Sequence, residues 1–136
     1  MENDVLLNKS QIIEHCIQRI NEVYEGDPEN LKDFTKQDSI ILNIQRACEA
    51  CIDLAMHVVS DKRLGLPQST RDAFDSLEQN KIIDSEMASR LKTMVGFRNI
   101  AVHEYQKLNL VIVQRIIEMH LNDLLEFAHF ILKLSW

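Results

Sequence analysis

SEMASRLKTMVGFRNIAVHEY, residues 85–105, repeats its apolar side chains at the spacing of a helix. On a helical wheel of about 100° per residue, several apolar residues fall within about 60° of Arg98. They are Met87, Leu91, Met94, Val95 and Val102. Asp84 or Ser85 can cap the start of this helix. The stretch predicts an amphipathic helix in which an arginine lies at a position where the pattern favours an apolar residue.

Other segments with the same spacing predict four further helices. A first helix ends at Gly26-Asp27-Pro28, and a second, of roughly six turns, closes near Gly65-Leu66-Pro67. Ser69 or Thr70 caps a short third helix, and Asn109 starts the last one. The apolar positions that define these helices are Leu6, Ile13, Cys16, Ile17, Ile20, Val23 and Tyr24; Ile41, Ile44, Cys48, Cys51, Ile52, Ala55, Val58 and Val59; Phe74 and Leu77; and Val113, Ile116, Ile117, Leu121, Leu124, Phe127, Ala128 and Ile131. The sequence therefore predicts an all-α bundle of four long helices and one short helix.

Composition supports one globular domain over residues 1–136. A chain of 136 residues with 46% hydrophobic content can bury one core, and only 3 glycines and 2 prolines favour helices over a turn-rich sheet fold. The formal net charge of -6 argues against broad, charge-driven coating of nucleic acid, because phosphate binding depends on lysine and arginine. Any nucleic-acid chemistry is therefore expected to be local.

Several features predict a cytoplasmic protein without a membrane segment. No run approaches the roughly 18 apolar residues that a membrane span requires. The start, Met1-Glu2-Asn3-Asp4, lacks the basic region of a secretory signal. The 3 cysteines, an odd number, suit a reducing compartment.

The apolar stripes of the fourth and fifth helices are wider than one neighbouring helix needs. This width favours a two-fold homodimer that buries the surplus, although a thick monomeric core would produce the same pattern.

Four polar side chains gather at the end of the fourth helix. Tyr105 lies within about 20° of Arg98 on the wheel, and Asn99 and His103, four residues apart, are neighbours on the adjoining flank. A buried arginine must meet a partner, because it cannot lose its proton. That partner is either a ligand or an acidic residue of another helix; the candidates are Glu14, Glu49 and Asp53.

The chemistry of these side chains fits cleavage of an RNA phosphodiester. Arginine binds phosphate and stabilises the transition-state charge, and histidine exchanges protons near neutral pH. Asn99 can orient the His103 ring, and Tyr105 can stack on a base. The ribose 2′-hydroxyl can serve as the nucleophile without a metal ion, so single-stranded or looped RNA is the predicted substrate.

One geometric problem follows from helical spacing. Arg98 and His103 are about 140° apart on an ideal helix and cannot both reach one phosphate from a straight segment. Either the helix unwinds near His103, or two copies of the chain share one cleft. In a dimer, a positive groove would combine the cations near the motif, which are Arg90, Lys92, Arg98, His103 and Lys107.

The segment Arg98-Asn99-Ile100-Ala101-Val102-His103-Glu104-Tyr105 resembles the R-x4-H-x-Y signature of HepT-like toxins in the HEPN superfamily. The helix count, the length and the position of the motif are also similar, so the resemblance spans essentially the whole chain. It implies a metal-independent, dimeric endoribonuclease without a cofactor, in which Arg98 and His103 are catalytic and Asn99 supports them. It also implies a toxin–antitoxin pair in which a minimal nucleotidyltransferase (MNT) antitoxin transfers AMP to Tyr105.

Two other interpretations of the motif stay open. The chain could be a non-catalytic module that binds a nucleotide or docks the nucleotidyltransferase, or a structural dimer locked by an arginine network.

Other motifs are interpreted as structural. Cys48-x-x-Cys51 lies inside a predicted helix without a second pair, and Glu126-x-x-His129 lacks the second motif that a di-iron site needs. His15, His57 and His120 show no partner pattern and are expected on helix surfaces.

Overall fold

The computed structural model describes residues 2–103 and 109–134, and the side chains of residues 4–97 and 109–134. The described chain is helical and contains no strand, which confirms the all-α prediction. Its elements are α1 (Glu2–Tyr24), a 3-10 helix (Pro28–Lys32), α2 (Phe34–Asp61), α3 (Thr70–Gln79), α4 (Ser85–His103), α5 (Leu110–Arg115), a π-helical turn (Ile116–His120) and α6 (Leu121–Lys133).

Short polar side chains start the helices, as predicted for α3, α4 and α5. The Ser69 hydroxyl accepts a hydrogen bond from the Asp72 backbone N–H at 3.1 Å, and Asn109 caps α5. Asp84 accepts from the backbone N–H of Met87 at 2.8 Å. Each of these caps satisfies a backbone donor that lacks a partner within its helix.

The second helix is longer than the predicted six turns. It has 28 residues, which is about eight turns, and Asp33 caps it by accepting a hydrogen bond from the Lys36 backbone N–H. Its first turn, Phe34 to Gln37, contains no buried residue and therefore adds nothing to the apolar repeat. The prediction was too short because periodicity detects only the buried part of a helix.

The last predicted helix contains a π-helical turn. The turn separates α5 from α6, and His120 departs from α-helical geometry with φ -120°. The predicted last helix is nevertheless confirmed, because residues 110–133 are helical throughout; the apolar spacing runs unbroken through the π-helical turn and carries no sign of it. Both sides of the turn remain packed on the core, with Ile116 and Leu121 buried.

The core lies among α1, α2 and α6, with α3 and α4 packed against α2 and α6. The α1 and α2 helices contact each other along much of their length, which places the end of α1 beside the start of α2. The Phe74 and Phe127 rings, both fully buried, join α3 to α6 edge-to-face with centroids 5.9 Å apart. One continuous core therefore supports all the helices.

The π-helical turn lies near the ends of both α1 and α4. The Tyr24 hydroxyl at the end of α1 donates a hydrogen bond to Glu118, and the Phe97 ring of α4 packs 5.3 Å from the His120 ring. The predicted motif, which starts one residue after Phe97, is therefore at the same end of the bundle as the end of α1.

Candidate functional site

The α4 backbone is helical from Ser85 through His103, so Arg98, Asn99 and His103 all lie on one helix. Their side chains, and the whole of Tyr105 and Lys107, lie outside the described residues. Five residues along a helix correspond to about 7.5 Å of rise and about 140° of rotation. Of the two predicted solutions to the geometric problem, unwinding between Arg98 and His103 is not observed.

The part of α4 before the motif is oriented as predicted. Leu91, Met94 and Val95 are buried in the core, and Met87 is partly buried. The stripe to which Arg98 belongs therefore faces the interior of the bundle over residues 87–95.

Two of the acidic residues proposed as structural partners of Arg98 have other partners. Glu14 lies 3.1 Å from Nε2 of His129, and Asp53 lies 3.1 Å from Nζ of Lys9. Both carboxylates are about half exposed, and the third candidate, Glu49, is also exposed on α2. Because both carboxylates already contact other side chains, Glu14 and Asp53 are weaker candidates for a structural partner of Arg98.

Arg90, which was predicted to contribute to a positive groove, is surrounded by carboxylates. It contacts Glu86 within α4 and, in α6, Glu126 at 3.2 Å and Asp123 at 3.8 Å. The negative charge of Glu86, followed by those of Asp123 and Glu126, raises the pKa of Arg90 despite some desolvation. This guanidinium ties α4 to α6.

Lys92 is neutralised in the same way. Its Nζ contacts Asp75 and lies 3.9 Å from Glu78, so it ties α4 to α3. These ion pairs count against a part for Arg90 and Lys92 in the predicted positive groove; a helical wheel could not indicate them, because it does not show the acidic residues of neighbouring helices.

His120, which the sequence placed on a helix surface without a partner pattern, has two described contacts. Its Nδ1 lies 3.4 Å from Asp123, its ring packs on Phe97, and its side chain is only 23% exposed. The three-residue spacing from His120 to Asp123 places them on one helical face and is a signal that could have indicated this contact. The histidine supports the α4 segment that leads into the motif.

A comparison with protein families identifies the chain. Residues 13–131 match the family described as Ribonuclease HepT-like. This chain belongs to the HepT-like ribonuclease family.

Individual HepT-like proteins are similar over nearly the whole chain. The mRNA nuclease HepT of Shewanella oneidensis is 51% identical over 125 residues, which is 92% of this chain and 94% of the relative. A solved structure of a tri-AMPylated Shewanella oneidensis HEPN toxin in complex with MNT antitoxin is 52% identical, with a TM-score of 0.88 over 94% of this chain and 96% of that one. A second structure, of a toxin–antitoxin with AMP-PNP, is 49% identical, with a TM-score of 0.89 over 94% of this chain and 98% of that one.

The remaining motifs of this HepT-like chain fit the structural interpretation. Cys48 and Cys51 are buried in α2 and form no disulfide, and burial, with a smaller effect of the neighbouring Cys48, raises the pKa of Cys51 well above its ordinary value. Glu126 and His129 contact different residues, Arg90 and Glu14. Among the described side chains, no three histidine, cysteine or acidic residues are grouped to hold a metal ion. Nor does any helix in the described chain have the length and apolar character to cross a membrane.

Proposed function

We propose that this chain is the toxin of a toxin–antitoxin pair and cleaves RNA in the cytoplasm as a metal-independent endoribonuclease. The observation that carries the proposal is the R-x4-H-x-Y motif, Arg98 to Tyr105, at the end of α4 in a member of the HepT-like ribonuclease family. The 51% identical mRNA nuclease supports the same activity.

In the proposed reaction, His103 takes the proton from a ribose 2′-hydroxyl. The 2′-oxygen then bonds to the adjacent phosphorus, the bond from phosphorus to the 5′-oxygen breaks, and the protonated imidazole returns a proton to that oxygen. Arg98 binds the non-bridging phosphate oxygens and stabilises their added charge. Asn99, one turn before His103, orients the imidazole.

The reaction requires two copies of the chain if α4 keeps its described helical geometry. Arg98 and His103 are separated by about 140° on one helix, so one copy cannot bring both to the same phosphate. In the dimer, Arg98 of one copy and His103 of the other reach that phosphate from opposite sides. A two-fold dimer that pairs the ends of the α4 helices provides this arrangement.

The antitoxin in this proposal is a minimal nucleotidyltransferase that transfers AMP to Tyr105. The similar Shewanella oneidensis toxin is tri-AMPylated and in complex with MNT antitoxin, which supports this partner and this modification. Phosphate attached two residues after His103 would occupy the anion site and repel the RNA backbone.

The cleavage assay is the first test. Purified protein is incubated with single-stranded RNA in EDTA at pH 6 to 8, beside Arg98→Ala and His103→Ala. We expect the wild type to cleave and each variant to lose at least about a hundredfold in rate, because general acid–base catalysis and charge stabilisation each contribute at this scale.

Matched controls separate catalysis from folding. Arg71→Ala and His129→Ala remove the same side-chain types from the exposed surfaces of α3 and α6 and should cleave normally. If the wild type leaves RNA intact under all these conditions while a ligand still binds through Arg98, the chain is a binding module. If Arg98→Ala and His103→Ala mainly lower Tm, the motif is structural.

Intact mass tests the modification. After co-expression with the nucleotidyltransferase encoded beside it, the wild-type chain should gain one or more AMP units, and Tyr105→Phe should gain none. An unchanged increment in Tyr105→Phe would place the modification on another residue.

A further inference from the structure

A cavity of about 750 Å³ lies between α1 and α2, away from the motif helix. Both helices contribute cationic and amide side chains to it. The polar residues that matter here are Asn8, Gln11, His15 and Arg19 from α1, and Asn43 and Arg46 from α2. Its volume is typical of ligand sites, and its lining combines such polar groups with the aliphatic Ile12 and Leu42.

The described residues that line the cavity carry only positive or neutral side chains. None of them is an aspartate or glutamate, in a chain with 21 acidic and 15 basic side chains. The ion pair of Arg19 with Glu22 is long, at 3.6 Å, and both side chains are more than half exposed, so Glu22 competes weakly for it. The cavity is therefore a locally positive surface on an acidic protein.

Arg46 of α2 lines the cavity together with Cys16 of α1. Burial raises the pKa of the Cys16 thiol, and the positive charge of Arg46 opposes that effect. Asn43, one turn before Arg46, is 6% exposed, and its amide donates to the Ser39 carbonyl at 2.8 Å. Arginine and a fixed amide thus lie side by side on the α2 wall.

The cavity is longer than a single phosphate site and extends toward the motif end of the bundle. Asn8 and Arg19 are eleven residues apart on α1, or about 16 Å along its axis. Tyr24 follows Arg19 by five residues on α1, and its hydroxyl contacts Glu118 in the π-helical turn. His120 of the same turn packs on Phe97, the residue before the motif. The Arg19 end of the cavity is therefore at the same end of the bundle as the start of the motif.

We propose that the α1–α2 cavity binds the phosphate backbone of single-stranded RNA outside the cleavage site, with Arg19 and Arg46 on phosphates. The proposal rests on the proposed ribonuclease function. Amide side chains and aliphatic stems suit contacts to bases and sugars that no longer stack in a duplex. The cations of α4 that could have held the RNA, Arg90 and Lys92, are already neutralised by carboxylates.

The test measures cleavage and binding of a mixed-sequence, 20-nucleotide single-stranded RNA by the full chain. Arg19→Ala and Arg46→Ala should each raise KM about tenfold with kcat nearly unchanged, as expected for the loss of one charge-assisted phosphate contact. Arg46→Lys should recover most of the loss. In a His103→Ala background, which holds the RNA uncut, each alanine variant should reduce the salt slope of log Kobs by about 0.7.

Lys133→Ala is the control, since it removes one exposed positive charge from α6, outside the cavity, and should change neither KM nor the salt slope. Normal KM and salt slope in Arg19→Ala and Arg46→Ala would overturn the proposal. A changed sedimentation coefficient in these variants, with RNA affinity retained, would instead assign the cavity to an interface between copies. Loss of antitoxin co-purification, again with RNA affinity retained, would assign it to the antitoxin.

The two proposals fail separately. A wild-type chain that does not cleave RNA contradicts the ribonuclease function. The binding measurement in the His103→Ala background still decides whether the cavity holds RNA.

Discussion

Positive side chains have different neighbours on the α4 side of the bundle and on its α1–α2 side. On α4, Arg90 and Lys92 lie eight and six residues before the motif, yet carboxylates of α3, α4 and α6 pair with both. Between α1 and α2, Arg19 and Arg46 line a cavity, and none of the other described residues around it is a carboxylate. Proximity to a motif along the chain therefore does not show where positive charge is available; the acids of neighbouring helices decide it.

The largest expected effect is a loss of stability, and it tests whether one core supports both the α4 side and the α1–α2 side. Phe127→Ala removes a fully buried ring that packs on Phe74, and we expect a loss of about 3–5 kcal/mol in the free energy of unfolding. Since a domain of this size is stable by about 5–15 kcal/mol, the variant should be close to unfolding. Urea denaturation followed by circular dichroism measures the change.

Phe34→Ala is the control for that variant, because Phe34 is 78% exposed and its removal should cost less than about 0.5 kcal/mol. Hydrogen exchange in Phe127→Ala should report the same loss of protection in α1, α2 and α4. Retained protection of the α1–α2 pair alone would show that the two sides are separate folding units.

A smaller loss of stability is expected when the contact between Tyr24 and Glu118 is removed. Tyr24→Phe removes the hydroxyl that donates to Glu118, and a hydrogen bond to a charged group contributes about 1.5–3 kcal/mol. Glu118→Gln keeps an acceptor at this position and should lose less. Equal stability of Tyr24→Phe and the wild type in urea would show that this contact does not hold α1 to the π-helical turn.

The Tyr24 contact also predicts a pH dependence. Burial, and then the hydrogen bond and charge of Glu118, raise the pKa of Tyr24 to about 12, above its ordinary value of about 10. A raised pKa means that the protonated phenol is favoured in the folded state, so its contribution is complete below pH about 10 and is lost as pH rises through about 12. Urea midpoints at pH 9 to 12 should fall more steeply for the wild type than for Tyr24→Phe.

Much of the fold could be predicted because it depends on local signals. Apolar residues at helical spacing gave α1, and the Ser69, Asp84 and Asn109 side chains marked helix starts that the structure confirms. The start of α2 and the π-helical turn could not be predicted in this way. Asp33 caps a turn without buried residues, outside the apolar repeat, and the repeat continues through Ile116–His120 without a break.

The candidate site also has features that local sequence signals predict and features that they do not. Arg98 and His103 are local in sequence, so a motif and a helical wheel were sufficient to propose them, and the structure adds that the helix between them is not unwound. The contact of His120 with Phe97 and the pairing of Arg90 with Asp123 join separate helices. A single sequence does not report such contacts, because they depend on how helices pack.

The smallest expected effect is on RNA affinity, and it tests whether the cations of α4 and those of the α1–α2 cavity differ in RNA binding. Arg90→Ala combined with Lys92→Ala removes two cations that precede the motif on α4 but are bound by carboxylates. We expect RNA affinity to change by less than about twofold and the salt slope to remain unchanged, since neither cation is available to release counterions from RNA. Fluorescence anisotropy over a range of salt concentrations measures both quantities.

The double variant should nevertheless lower Tm. It leaves the Asp123 carboxylate, only 12% exposed, with His120 as its described partner. Lys92 contributes about 1 kcal/mol or less, because its partners Asp75 and Glu78 are partly open to solvent. A salt slope reduced as much as in Arg46→Ala would mean that RNA displaces the carboxylates of α3 and α6, and the two sides of the bundle would then bind RNA alike.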